Sequence, residues 1–310
     1  MKKTLRLFAS ISLLVSLGMT TIIFTEARAE TMYKPFILAQ TLQSTKLTPI
    51  INQTKDKLAN AGFEIVGEYS PVGNTHIIII SNARLKNYAT QSENGIYGVI
   101  QRVSITVVDN SAQVSFTNPT YMAHVYRFKT DLADITQILK NSLGFVKEFG
   151  SDEGLSKADL RDYQYKIFMP DFTDKLELAE YENQDQAIKA VMNSIKNNEG
   201  GVSQVYRVDL TDKQETIIGV NLKGNDNSEC SSDKYILSKI DFKKIKSRGH
   251  LPYEMIIKKG NVYALFAEFR IALSFPDLSM IGSNSFASIM CAPSTIQYAL
   301  TLAAGGDPED

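Results

Sequence analysis

The chain has 310 residues, longer than a usual single domain, and sets 33 Lys+Arg against 34 Asp+Glu for a net charge of −1. That balance provides no electrostatic footprint for nucleic acid, so nucleic-acid partners are not expected. Beyond residue 29 no stretch holds 18 consecutive apolar residues, and no membrane span is predicted in the remainder.

Lys2, Lys3 and Arg6 open the chain, 7–24 is mostly apolar, and Ala27-Arg28-Ala29 carries the small-x-small pattern that signal peptidase cuts after. Residues 1–29 are predicted to be a bacterial signal peptide cleaved near Ala29, with export to the periplasm or beyond. An uncleaved membrane anchor is the alternative. Without Lys2, Lys3, Arg6, Arg28 and Glu26 the chain keeps 29 Lys+Arg against 33 Asp+Glu, a net charge near −4. No Cys stands at the cleavage point, which argues against a lipoprotein.

A strand is predicted over 33–39. A helix follows over 48–61, because Leu47, Ile50, Ile51, Thr54, Leu58 and Ala61 recur at separations of three and four residues on one face. Gly62 stops it. Strands over 64–69 and 76–81 come next, then a polar loop, then strands over 98–108 and 113–117 about the Asp109-Asn110-Ser111 turn. Thr130 is placed to cap a helix over 131–143 that ends at Gly144.

The same order then recurs. Tyr165-Lys166-Ile167-Phe168 resembles Tyr33-Lys34-Pro35-Phe36 and is read as the opening strand. Asn183 and Gln186 make a capping-box-like start for a helix carrying Ala187, Ile188, Val191, Met192 and Ile195, ended by Gly200-Gly201. Strands are predicted over 204–210 and 216–222, and a hairpin over 253–258 and 261–274 turns at Lys259-Gly260. A helix from Ser294 closes at Gly305. Offsets between matched landmarks grow from 132 (Tyr33 and Tyr165) to 157 (Pro119 and Pro276), as insertions into a duplicated unit would produce, the largest being 223–248. The predicted fold is α+β: two similar units, 30–145 and 164–310, joined by a polar linker over 146–163. Each is a mainly antiparallel sheet with helices packed on one face, in the order β-α-β-β-β-β-α.

Three features of the first unit carry a resemblance: the amphipathic helix ending at Gly62-Phe63, the strand over 77–80, and Asn118-Pro119-Thr120-Tyr121-Met122-Ala123. Together they resemble the bacterial and archaeal family called domain of unknown function 302, in which a strand is commonly followed by Asp/Asn-Pro-x-Tyr-Leu/Met-Ala. The likeness covers roughly 45–127. In the second unit Phe275-Pro276-Asp277-Leu278 lacks both the Asn and the Tyr. The resemblance implies a small α+β domain and no particular activity.

Tyr121, His124 and Arg127 follow the Asn-Pro turn at the three-residue spacing of one helical side. They are candidates for a binding rim between the units, against the alternative of a Tyr anchoring the turn beside a surface His/Arg pair. In Tyr206-Arg207-Val208-Asp209, strand alternation puts Tyr206 on one face and Arg207 with Asp209 on the other. Arg207 then either pairs with Asp209 or is offered to an anionic ligand. Cys230 and Cys291, an even pair in a chain expected to be exported, are read as a disulfide, which would contribute roughly 3–4 kcal/mol through loop closure; two separate thiols are the alternative. No metal site and no cofactor are expected. His76, His124 and His250 are scattered, no phosphate loop or dinucleotide fingerprint follows a strand, and Gly224-Asn225-Asp226-Asn227 reads as a turn. The basic stretch from Lys239 to His250, with Ile240, Phe242 and Ile245 among its lysines, is read as a solvated strand edge or loop.

The expectation is a non-catalytic module that binds an unknown small molecule or a periplasmic protein in a cleft between its units. The alternative is a hydrolase or isomerase with His124 as its acid/base.

Overall fold

A computed structural model describes residues 30–224 and 229–309. The leader with its cleavage point, and residues 225–227 of the turn begun at Gly224, lie outside the described residues. The first half runs β1 (Met32–Tyr33), β2 (Phe36–Leu42), α1 (Leu47–Asn60), β3 (Glu64–Tyr69), β4 (Thr75–Ser81), α2 (Ala83–Gln91), β5 (Gln101–Val108), β6 (Ser111–Thr117), α3 (Pro119–Val125) and α4 (Ala133–Leu143). Then come β7 (Lys147–Phe149), β8 (Leu155–Ser156) and α5 (Lys157–Arg161). The second half runs β9 (Lys175–Glu180), α6 (Gln184–Lys196), β10 (Val202–Leu210), β11 (Glu215–Leu222), α7 (Asp233–Ile240), β12 (Tyr253–Lys258), β13 (Asn261–Leu265), α8 (Ala267–Ser274) and α9 (Ala292–Ala304).

The mixed α+β class expected from the sequence is present, with one antiparallel sheet of eleven strands in the order β7-β2-β6-β5-β4-β3-β10-β11-β12-β13-β9. From β2 and from β9 inward to the central β3–β10 pair, the two halves run in mirrored order. Residues 31–310 form one compact unit. The segment 146–163, expected as a linker, supplies β7 to the edge of β2 and β8 to β1. Where a cleft between units was expected, Tyr206 of β10 pairs in register with Gly67 of β3.

Helices do not cover one face alone. Ile77 to Ile80 of β4 are all fully buried, although alternate residues point to opposite faces, and β5, β11 and β12 are buried along most of their length. On one face α1 packs on β3, β4 and β5, and α6 packs on β10, β12 and β13. The other face of the first half is covered by the basic stretch. Gln113 donates to the Lys244 carbonyl (2.9 Å) and accepts from the Lys246 amide (3.0 Å), and Gly249 lies against Phe36 and Thr117. That stretch is therefore a lid on the sheet, with Ile240 buried at the end of α7 and Phe242 left in solvent.

Three further expectations are corrected. The polar loop after β4 holds α2, capped by Asn82, whose side chain accepts from Leu85 N. Only Leu85 and Ala89 of that helix are buried, too narrow a stripe to show a period. The strand expected to reach 274 stops at Leu265 and continues as α8, whose residues are nearly all buried. A helix enclosed on every side shows no period and reads like a core strand. Tyr165 to Phe168, read as the counterpart of the first strand, is an irregular loop, and β9 opens the second half instead.

Candidate functional site

The Asn-Pro cluster is built as a helix start. The Asn118 side chain accepts from Thr120 N, and Pro119 takes the first helical position, where no amide hydrogen is needed. Every residue of α3 is buried. Tyr121 is fully enclosed and donates its hydroxyl to the Leu273 carbonyl of α8 at 2.9 Å, tying the two halves together. His124 is buried edge-on to Tyr33 (5.1 Å between ring centres), and its Nε2 has no hydrogen-bond partner among the described residues. Burial, and then the charge of Lys157, hold its imidazole below the ordinary value. Arg127 donates through Nε to the Arg161 carbonyl (2.8 Å) and lies over the Phe172 ring. The expected surface His/Arg pair is thus a buried His and an Arg spent on the backbone.

Tyr206 is buried and donates to Glu254 Oε1 (3.2 Å), and Arg207 chelates Asp209 with Nε at 3.0 and 3.1 Å. None of these five side chains lines any of the surface recesses described below.

Tyr206 leads into a buried ionic network that sequence reasoning missed. Glu254 pairs with Arg102 on β5 and with Arg270 on α8 (3.2 Å). Arg270 also donates to Tyr126 Oη (3.2 Å) and to the His250 and Pro252 carbonyls (2.9 and 3.2 Å). Burial and the Arg270 charge bring Arg102 down to about 10. His250 contacts Ser274 through Nδ1 (3.0 Å) and Tyr253 through Nε2 (3.2 Å). Burial first, then the charges of Arg270 and Arg102, push its imidazole well below the ordinary value. Ser274 and His250 match a nucleophile and base by residue type, yet both are buried, with His250 flanked by the rings of Tyr253 and Phe275. The pair serves the core. An Arg inside an alternating strand and an Arg inside an apolar run were the available signals, and only a solved neighbourhood joins them.

The surface tells a different story. Two open recesses of about 890 and 1020 Å³ are lined largely by charged and polar side chains. A third, of about 600 Å³, is apolar: Leu176, Phe266, Met280, Phe286, Met290 and Ile296 form its walls, and Glu268 is its one charged lining residue. Ile281 and Met290 stand on its rim at 79% and 75% exposure. Large apolar side chains exposed together around a concavity are what a folded surface ordinarily avoids.

The exposure is built in. The loop carrying Met280 and Ile281 is closed on itself, with Phe286 N donating to the Ser279 carbonyl (2.9 Å) and Ala287 N to the Met280 carbonyl (3.1 Å). Cys291, at the start of α9, is bonded to Cys230 before α7, and Tyr235 of α7 donates to the Ser288 carbonyl (3.3 Å). The expected disulfide is therefore formed, and it staples the groove wall to α7. Beside the groove, Tyr165 stacks on Phe286 (4.9 Å) and donates to the Leu278 carbonyl, which fixes the loop bearing Ile167 and Phe168. Phe168 is 99% exposed and sits in the left-handed backbone region at φ 70. A bulky residue rarely occupies that region.

Among the described residues no group of three His, Cys, Asp or Glu could hold a metal ion. The one stretch of them long and apolar enough to cross a membrane is 286–304, which includes α9. Comparison with protein-family models, curated proteins and solved structures finds no match. The resemblance to the domain of unknown function 302 family therefore rests on the residues quoted for it.

Proposed function

We propose that this chain is a non-catalytic binding module of an oxidising, extracytoplasmic compartment, and that its docking site is the apolar groove beside the disulfide. The observation that carries this reading is the apolar rim: Ile281 and Met290 exposed on one groove, with Ile167 and Phe168 exposed on the loop beside it, on segments held by backbone hydrogen bonds and a disulfide. A rigid apolar concavity with a polar edge suits an apolar segment of a partner protein, because ordering its wall costs little on binding. The disulfide supports export, since such bonds persist where thiols are oxidised. Duplication of an ancestral unit is supported by the two matching successions of nine elements and by the mirrored strand order. The use of His124 as acid/base draws no support from its surroundings: among the described residues its Nε2 has no hydrogen-bond partner, and it lines none of the recesses described above.

Selection of random displayed peptides on residues 30–310 tests the reading. Apolar peptides should be enriched, and Ile281→Glu or Met290→Glu should weaken them at least about ten-fold, or roughly 1.4 kcal/mol, without lowering the melting temperature. Enrichment of no peptide, or of peptides indifferent to both substitutions, would end it.

A further inference from the structure

The same face that carries the groove also carries a knob. Phe168 projects almost wholly into solvent from the loop 165–170, with Ile167 beside it at 78% exposure. That loop touches the groove of its own chain through the Tyr165–Phe286 stack, and Phe168 shares a shallow recess with Phe266, which is also a groove residue. The tether holds the loop alongside the groove and leaves Phe168 outside it.

We infer that the groove's partner is a second copy of this chain, the Phe168 loop of each copy seating in the groove of the other about a two-fold axis. This rests on the reading of the groove as a docking site and names its occupant. Three observations carry it. A knob and a hole adjacent on one face close both contacts on one axis, which is the geometry of an isologous dimer. The charges match, since Lys166 is the only charged residue of the 165–170 loop and Glu268 is the only charged residue lining the groove. The area is of the right size: Ile167, Phe168, Met280, Ile281 and Met290 are 41–99% exposed, on the order of 550–750 Å² per copy at about 150–200 Å² for each full side chain, near the roughly 800 Å² that a standard interface takes from each partner. The left-handed backbone at Phe168 fits the same account. Glycine would adopt it freely, so a phenylalanine held there serves a contact outside its own chain.

Sedimentation velocity on residues 30–310 decides the matter. The wild-type chain should sediment as a dimer at about 100 µM and dissociate on dilution. Phe168→Lys and Met290→Glu should each be monomeric at that concentration, and an equimolar mixture should re-form a dimer, because one native contact and one Lys/Glu contact are then present. Phe168→Gly should lose the dimer while keeping or raising the melting temperature of the monomer, which a purely structural Phe would not do. A wild-type monomer at that concentration, or dimerisation unchanged in the single variants, overturns the inference. If displayed peptides still bind the groove of such a monomer, the docking site survives and only its occupant is wrong. If they do not, both readings fall.

Discussion

Glu254 stands between two arginines, all three side chains almost wholly buried. Alone, Arg102 and Arg270 would each face a large desolvation cost, and the shared carboxylate, with Tyr206 and Tyr126 at its margins, offsets it. Replacing Glu254 with Gln leaves two buried cations facing a neutral amide. The variant should lose about 3–5 kcal/mol in urea unfolding, more than a mere lost hydrogen bond. Two other buried groups set opposite pH dependences. His250 is held neutral below the ordinary histidine value, so the unfolded chain alone takes up its proton. Its contribution to stability is present above about pH 6.5 and is lost as pH falls below it. Asp233 is buried beside Tyr69, and burial raises its carboxyl to about 8. Its contribution is present at low pH and is lost as pH rises from about 4 towards 8. Stability measured against pH should therefore show wild type falling relative to His250→Gln by roughly 1–2 kcal/mol between pH 7 and 5. Over the same interval wild type should rise relative to Asp233→Asn.

At the scale of elements, what the sequence revealed depended on how far each element faced water. α1 and α6 expose one side, so their apolar stripes were legible, and Asn183 caps α6 by accepting from Gln186 N as its spacing implied. α8 lies in the interior and lost its period. The loop from Tyr165 to Phe168 alternated like a strand, but its apolar residues face solvent, and periodicity cannot tell a buried face from one reserved for contact. Pro119 and Pro276, matched by sequence, are not counterparts, since Pro119 opens α3 after β6 whereas Pro276 follows α8. The groove depends on the disulfide, which closes a separation of 61 residues between the α7 approach and α9. Replacing both cysteines with Ser should cost about 3–4 kcal/mol on the loop-closure account. It should also raise amide exchange through 279–291 more than elsewhere, and uniform protection there would show that the wall stands without the staple.

At the scale of the molecule, the two halves meet at the β3–β10 seam, through the 244–249 segment laid on the first half of the sheet, in the Arg102–Glu254 pair and between α3 and α8. Tyr206 crosses the seam opposite Gly67, and its ring lies over Gly219, where a Cβ would overlap it. Gly219→Ala should therefore destabilise the whole unit by about 1–3 kcal/mol through overpacking. The loss should appear as one cooperative thermal transition, whereas two transitions would mean that the halves melt separately. The Tyr121 to Leu273 hydrogen bond makes the same point, since it joins residues 152 apart.

The sequence by itself determined the class of the fold and most strand and helix positions, and it offered Cys230 and Cys291 as a disulfide that the structure then brought within bonding distance. Hydrophobic period, caps and turn residues act over a few neighbours, whereas a bond between two cysteines depends on how closely the fold brings them together. It also supplied every member of the polar-aromatic clusters without their roles. Tyr121, His124, Arg127 and Tyr206 carry the side chains of a site, and the fold buries or engages each of them. Only the tertiary structure decided that the halves share one sheet, that Arg102, Glu254 and Arg270 converge, and that Ile167, Phe168, Ile281 and Met290 reach solvent together. Burial depends on what packs from distant parts of the chain, and no local pattern encodes it.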